Sequence, residues 1–80
     1  PFSKETAVLM MADAVEAASR SLNEKTEESI SQLVEKIIDI QVNENQFINT
    51  DLTFRDITTI KKVFKKKLMN IYHVRIAYPV

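Results

Sequence analysis

Asp13 is the residue whose setting first points to chemistry. It stands in the run Met10-Met11-Ala12-Asp13-Ala14-Val15, a carboxylate among apolar and small side chains. A charge in such company must be solvated, paired or bound to a cation, because an unpaired buried charge is costly. Pairing with Arg20 or Lys25, or simple exposure to water, is the plainer expectation from these residues alone. Glu16 and Arg20 are four residues apart, the spacing of a helical surface ion pair worth about 0.3–0.5 kcal/mol. Lys61, Lys62, Lys65, Lys66 and Lys67 form a second cluster that could touch phosphate or an anionic membrane surface. No exposed aromatic alternates with these lysines, so a solvated helix face suited to the C-terminal dipole is the simpler expectation. His73 has no neighbouring His, Cys or paired acid at ligand spacing, which makes it a structural or surface histidine. Tyr72 and Tyr78 read as anchors of a tail, apolar in body with a polar tip.

Composition narrows what such residues could do alone. The chain has 80 residues, eleven basic and eleven acidic side chains, no cysteine, no glycine and one histidine. Without cysteine there is neither a disulfide framework nor a thiolate zinc site. Without glycine there is no phosphate-cradling loop of the Gly-rich kind. One imidazole cannot build a multi-histidine metal centre. Taken alone, the chain is a poor candidate for a complete enzyme. No apolar run approaches the ~18–20 residues of a membrane span, and Pro1-Phe2-Ser3-Lys4 is not a signal peptide. The chain reads as soluble, and a start other than methionine fits a piece of something longer. A single core of this size rarely supplies more than ~3–5 kcal/mol.

Three amphipathic blocks must position these residues. The first runs from about Lys4 to Leu22 with Ser3 as N-cap. Val8, Met11, Ala12, Val15, Ala18 and Leu22 lie on its apolar face, and Asp13 is expected beside that face rather than opposite it. Asp13, Glu16, Ala17 and Arg20 form a second stripe. The next block starts at an N-cap Thr26 and buries Ile30, Leu33, Val34, Ile37, Ile38 and Gln41 or Val42. Glu28, Gln32, Glu35, Lys36 and Asp39 lie on its outer face. Asn43 to Gln46 break the pattern, and Phe47 and Ile48 could form a short anchored stretch. Thr53 and Asp56 then fit a capping box, with Leu52 and Ile57 as a staple pair. The last block places Ile57, Ile60, Phe64, Leu68 and Ile71 inside and the lysines around them. Tyr72 to Val80 alternate like an extended tail. The fold class is therefore all-α, three helices and a tail.

Charge is unevenly spread over these blocks. Residues 1–51 hold ten acids and four bases, whereas residues 52–80 hold one acid, Asp56, and seven bases. Halves so charged attract one another within a folded unit, or each faces a different partner.

The residue strings carry a resemblance over nearly the whole chain. Ser3-Lys4-Glu5-Thr6-Ala7 and Met11-Ala12-Asp13-Ala14-Val15-Glu16-Ala17-Ala18-Ser19-Arg20-Ser21-Leu22 are similar to the C-terminal part of a bacterial HD-domain family. So are Leu33-Val34-Glu35-Lys36-Ile37-Ile38 and Leu52-Thr53-Phe54-Arg55-Asp56-Ile57. The tail Ile71-Tyr72-His73-Val74-Arg75-Ile76-Ala77-Tyr78-Pro79 completes the likeness. The family is that of the membrane-anchored seven-helix HD phosphohydrolases, which include cyclic di-AMP phosphodiesterases. Val74 stands where relatives often carry proline, and Asn45 where they often carry glycine.

By its place in the motif, Asp13 looks like the final aspartate of the HD site, a hard oxygen ligand for a divalent metal. The resemblance implies a two-metal site, with manganese or iron, that hydrolyses a cyclic dinucleotide such as cyclic di-AMP. It places residues 1–80 in the C-terminal part of an HD domain at the cytoplasmic face of the bacterial inner membrane. The upstream histidines and the His-Asp pair lie outside the chain, so the chain alone is expected to be inactive and to hold metal weakly. No role is implied for Lys4, Arg20 or His73. The remainder of the HD domain is the implied partner, self-association of the exposed piece is expected, and nucleic acid is not. A non-catalytic interaction module, docking through the second or third helix with Asp13 as a mere salt-bridge partner, is the competing expectation.

Overall fold

The computed structural model describes residues 3–44 and 51–75. Each of its three helices starts where a hydroxyl accepts from an otherwise orphan backbone amide. In helix α1 (Lys4–Ser19) the Thr6 N–H donates to Ser3 Oγ at 3.1 Å. Helix α2 (Glu27–Asn43) starts at Thr26, whose Oγ1 accepts from the Ser29 N–H at 3.0 Å while its own N–H donates to Ser29 Oγ at 2.9 Å. Helix α3 (Phe54–Ile71) opens on the expected Thr53–Asp56 box, with reciprocal bonds of 3.0 and 3.1 Å. Caps of this kind each stabilise a helix by about 1 kcal/mol.

The ends differ more from expectation than the starts. Helix α1 stops at Ser19 rather than Leu22. There the Ser19 and Ser21 hydroxyls turn back onto the Glu16 and Ala18 carbonyls, at 2.7 and 2.8 Å, and compete with the helical ladder. Tyr72 and His73 are not extended tail but the turn that closes α3. His73 takes the left-handed conformation, with φ 55°. Its N–H donates to the Asn70 carbonyl at 3.3 Å, and the Val74 N–H donates to the Met69 carbonyl at 2.8 Å. This pair of bonds is a Schellman motif, in which the left-handed position is usually glycine. A chain without glycine uses histidine, one of the few side chains enriched there. Phe47 and Ile48, and the tail from residue 76 onwards, lie outside the described residues.

Two contacts fix how the helices run. Lys4 at the start of α1 meets Asp56 at the start of α3, with Nζ to Oδ2 at 3.4 Å. Ser19 at the end of α1 meets Tyr72 at the end of α3, their hydroxyl oxygens 2.9 Å apart. Helices α1 and α3 are therefore parallel, with α2 antiparallel to both and packed against each. Between them lie Ala7, Met11 and Val15 of α1, Ile30, Val34 and Ile38 of α2, and Phe64, Leu68 and Met69 of α3. The α1 and α2 residues recur every four positions, the signature of one helical stripe. Leu52 and Ile57, which flank the start of α3, are each partly buried against this core.

Some inside–outside expectations are corrected. Ser19 is fully buried, Gln41 rather than Val42 turns partly inward, and Met69 takes the inner place expected of Ile71. Ile71 is 60 % exposed because the helix ends there and nothing among the described residues covers it.

Candidate functional site

The outward face of α1 carries Leu9, Asp13, Glu16 and Arg20, all exposed. Asp13 follows Met11 by two residues, so it lies about 200° round the helix from that fully buried side chain. It therefore stands opposite the core stripe, not beside it. Its position is held from beneath by Met11 and Val15, which are buried. Ser3 and the Lys4–Asp56 pair hold the start of the helix, and the Ser19–Tyr72 contact holds its end.

The cations that could have neutralised Asp13 are engaged elsewhere. Arg20 donates from Nη2 to both Glu16 carboxylate oxygens, at 2.6 and 2.9 Å, and from Nε at 3.2 Å. The Glu16 carboxylate raises the Arg20 pKa through these hydrogen bonds. Lys25 donates to the Leu22 carbonyl at 3.0 Å and lies 5.1 Å from the centroid of the Tyr72 ring. Asp13 thus presents its carboxylate outward and makes no ion pair among the described residues.

Among the described residues no three His, Cys, Asp or Glu side chains converge on a common point. His73 is held in the turn after α3. Lys4 is drawn to Asp56, whose carboxyl sits below its ordinary range because the Thr53 backbone N–H donates to it, with Lys4 adding to the effect.

The lysine cluster divides into two parts. Lys61 reaches Asp39 at 2.6 Å and Glu35 at 2.9 Å, and Lys65 reaches Glu35 at 2.6 Å. These contacts realise the attraction between the acidic and basic halves inside one fold. The Lys65 and Lys61 hydrogen bonds hold the Glu35 carboxyl below its usual range. Asp39, then Glu35, raise the Lys61 pKa. Lys62, Lys66 and Lys67 remain on the outside, and all five lysines precede the last turn of α3, so the C-terminal dipole does not account for them.

Sequence reasoning missed the Ser19–Tyr72 contact. A serine within an alanine-rich helix carries no apolar signal, although Tyr72 does anchor the chain end as its amphipathic side chain suggested.

No protein-family profile matches the chain. Three curated relatives do. The cyclic-di-AMP phosphodiesterase PgpH of Bacillus subtilis is 44 % identical over 79 residues, 99 % of this chain. PgpH of Listeria monocytogenes is 38 % identical over the same share, and the uncharacterized protein slr0104 of Synechocystis is 37 % identical. The chain spans about a tenth of these relatives, 11, 11 and 10 % of their lengths. Among solved structures, the HD domain of L. monocytogenes phosphodiesterase PgpH in complex with cyclic-di-AMP superposes with a TM-score of 0.87 at 37 % identity. The match covers 98 % of this chain and 37 % of that one. A second crystal structure of that HD domain gives 0.84 at 36 % identity. In sequence and in its all-α fold, the chain therefore matches part of the PgpH HD domain. No described helix is long and apolar enough to cross a membrane.

Proposed function

We infer that residues 1–80 are the C-terminal part of an HD-domain phosphohydrolase and that Asp13 is its contribution to the metal site. The observation that carries this reading is the outward, unpaired Asp13 carboxylate on a three-helix unit with the fold of a cyclic-di-AMP-binding HD domain. The remaining ligands, histidines and a His-Asp pair, come from the part of the domain that packs on the outer face of α1. Leu9, 65 % exposed on that same face, is covered by the same contact.

The reaction is hydrolysis of a cyclic dinucleotide, cyclic di-AMP to its linear form. Two divalent ions, manganese or iron, supply charge neutralisation and water activation in such a site. What this chain does is narrower. Asp13 offers a hard anionic oxygen to the metal, α1 fixes that oxygen's direction, and α2 and α3 keep α1 from rotating. The domain works at the cytoplasmic face of the bacterial inner membrane. The isolated chain hydrolyses nothing and self-associates through its uncovered apolar side chains.

The test is metal content and cyclic di-AMP hydrolysis by the complete cytoplasmic region, with and without Asp13→Ala. Loss of bound metal and of turnover together, with the helical circular dichroism unchanged, is the expected result. Full metal content and full activity in the variant would overturn the assignment of Asp13. Turnover by the 80-residue chain itself, supplied with manganese, would overturn the division of the site.

A further inference from the structure

We infer that Arg20 binds the second phosphate of the cyclic dinucleotide, the one not held at the metal site. The inference rests on the assignment of Asp13 to that site. Arg20 still has helical backbone angles, with φ −65° and ψ −25°. At about 100° and 1.5 Å per residue, it lies within about 20° of Asp13 round α1 and about 10 Å further along it. Helical side chains lean toward the N-terminus, so Arg20 reaches back toward the turn that carries Asp13. Its hydrogen bonds to Glu16, one turn back, record that lean.

Among the described residues Arg20 is the sole cation on this face of α1. Lys4, nine residues before Asp13, falls about 180° away round the helix and is drawn to Asp56. Lys25 is held beyond the helix by the Leu22 carbonyl and the Tyr72 ring. Leu9, exposed on the same face four residues before Asp13, makes the other side of the carboxylate apolar. A doubly charged ring seated at Asp13 therefore extends toward Arg20 and not toward Leu9. The C-terminal end of a helix repels anions, and Arg20 offsets that repulsion where α1 ends.

The guanidinium is prepared for such a contact. Glu16 engages its Nε and Nη2, and Nη1 has no acceptor among the described residues. An exposed i, i+4 pair adds little stability by itself. Here it holds the planar fork in one orientation and leaves the N–H groups of Nη1 for a phosphate oxygen. It also spares Arg20 from becoming a lone buried charge when the rest of the domain covers α1. The phosphate being cleaved is neutralised at the metal site. The other phosphate of the same ring carries its own charge, and Arg20 meets it.

The test compares two phosphodiesters on the complete cytoplasmic region: cyclic di-AMP, with two phosphates, and bis(p-nitrophenyl) phosphate, with one. Arg20→Ala is expected to raise the KM for cyclic di-AMP about ten- to a hundred-fold, the range for a lost hydrogen bond to a charged group. Metal content, kcat on cyclic di-AMP and kcat/KM on the one-phosphate substrate are expected to stay within about two-fold, as for a lost binding contact. Glu16→Gln, which leaves Arg20 in place without its clamp, is expected to raise the same KM by a smaller factor. An unchanged KM for cyclic di-AMP in Arg20→Ala would overturn the proposal. So would an equal loss on both substrates, a loss of metal, or a larger effect of Glu16→Gln than of Arg20→Ala. Failure of the Asp13 assignment is a separate result: Asp13→Ala then keeps metal and turnover, whatever Arg20→Ala does.

Discussion

The hydroxyls of Ser19 and Tyr72 lie 2.9 Å apart, although 53 residues separate them in the chain. Ser19 is fully buried at the end of α1, where its hydroxyl also donates to the Glu16 carbonyl at 2.7 Å. The contact ties the last turn of α1 to the turn that follows α3. Tyr72→Phe is expected to cost about 1 kcal/mol, the net value of a typical hydrogen bond. Ser19→Ala is expected to cost a similar amount, and the double variant less than the sum of the two, since both remove one contact. Urea midpoints of the four chains check this, and strict additivity would mean that the two hydroxyls do not interact.

His73 is the one described residue other than glycine with a positive φ, at 55°. His73→Gly relieves the Cβ conflict of the left-handed turn and is expected to stabilise the fold by about 0.5–1 kcal/mol. His73→Val, branched at the position that tolerates it least, is expected to destabilise it by more than that. Thermal melts of the two variants should move in opposite directions.

Glu35 and Lys61 give the fold a pH dependence at both ends of the scale. The folded Glu35 carboxyl is lowered by its hydrogen bonds from Lys65 and Lys61. Its contribution is therefore complete above the ordinary glutamate pKa of about 4.3 and disappears as pH falls below that value. The folded Lys61 pKa is raised by Asp39 and Glu35. Its contribution is complete below the ordinary lysine pKa of about 10.4 and is lost as pH rises through the higher folded value. Glu35→Gln is expected to flatten the acid limb of a stability-versus-pH curve. It should cost about 0.5–1 kcal/mol at neutral pH, since the carboxylate is close to half exposed and screened by solvent.

Ile30 is fully buried at the start of α2. Ile30→Ala is expected to cost about 2–5 kcal/mol. A core with nine buried apolar side chains among the described residues has little in reserve. The variant should accordingly show a large loss of helical circular dichroism at room temperature, and a cooperative transition with an unchanged midpoint would contradict the packing described for Ile30.

Much of this architecture can be read from the residues. Ser3, Thr26 and Thr53 mark the three helix starts because a hydroxyl before an amphipathic run has one common use. Ile30, Val34 and Ile38 mark the inner face of α2 because large aliphatic side chains at that spacing have one favourable place. The second arm of the Thr26 box escapes notice, since Ser29 stands where glutamate or glutamine usually gives the signal. Ala7 and Ser19 are buried without announcing it, because small side chains are compatible with either face. The division of the lysines could not be read from one helix, since it is set by carboxylates on another. Asp13 could be singled out from its neighbours and its motif. Its direction became clear only with the buried stripe on the opposite side of α1.

Lys61 touches carboxylates on successive turns of α2, Glu35 and Asp39, while Glu35 is shared with Lys65 one turn along α3. Three contacts staggered in this way favour one alignment: all three are made together there, and a slide of either helix by a turn leaves fewer of them within reach. The alignment of α2 against α3 is therefore written into the helices themselves and not into the segment that joins them. Lengthening that connection adds only a slowly growing closure entropy, so homologous chains can gain or lose residues between the two helices and still bring the same pairs into coincidence.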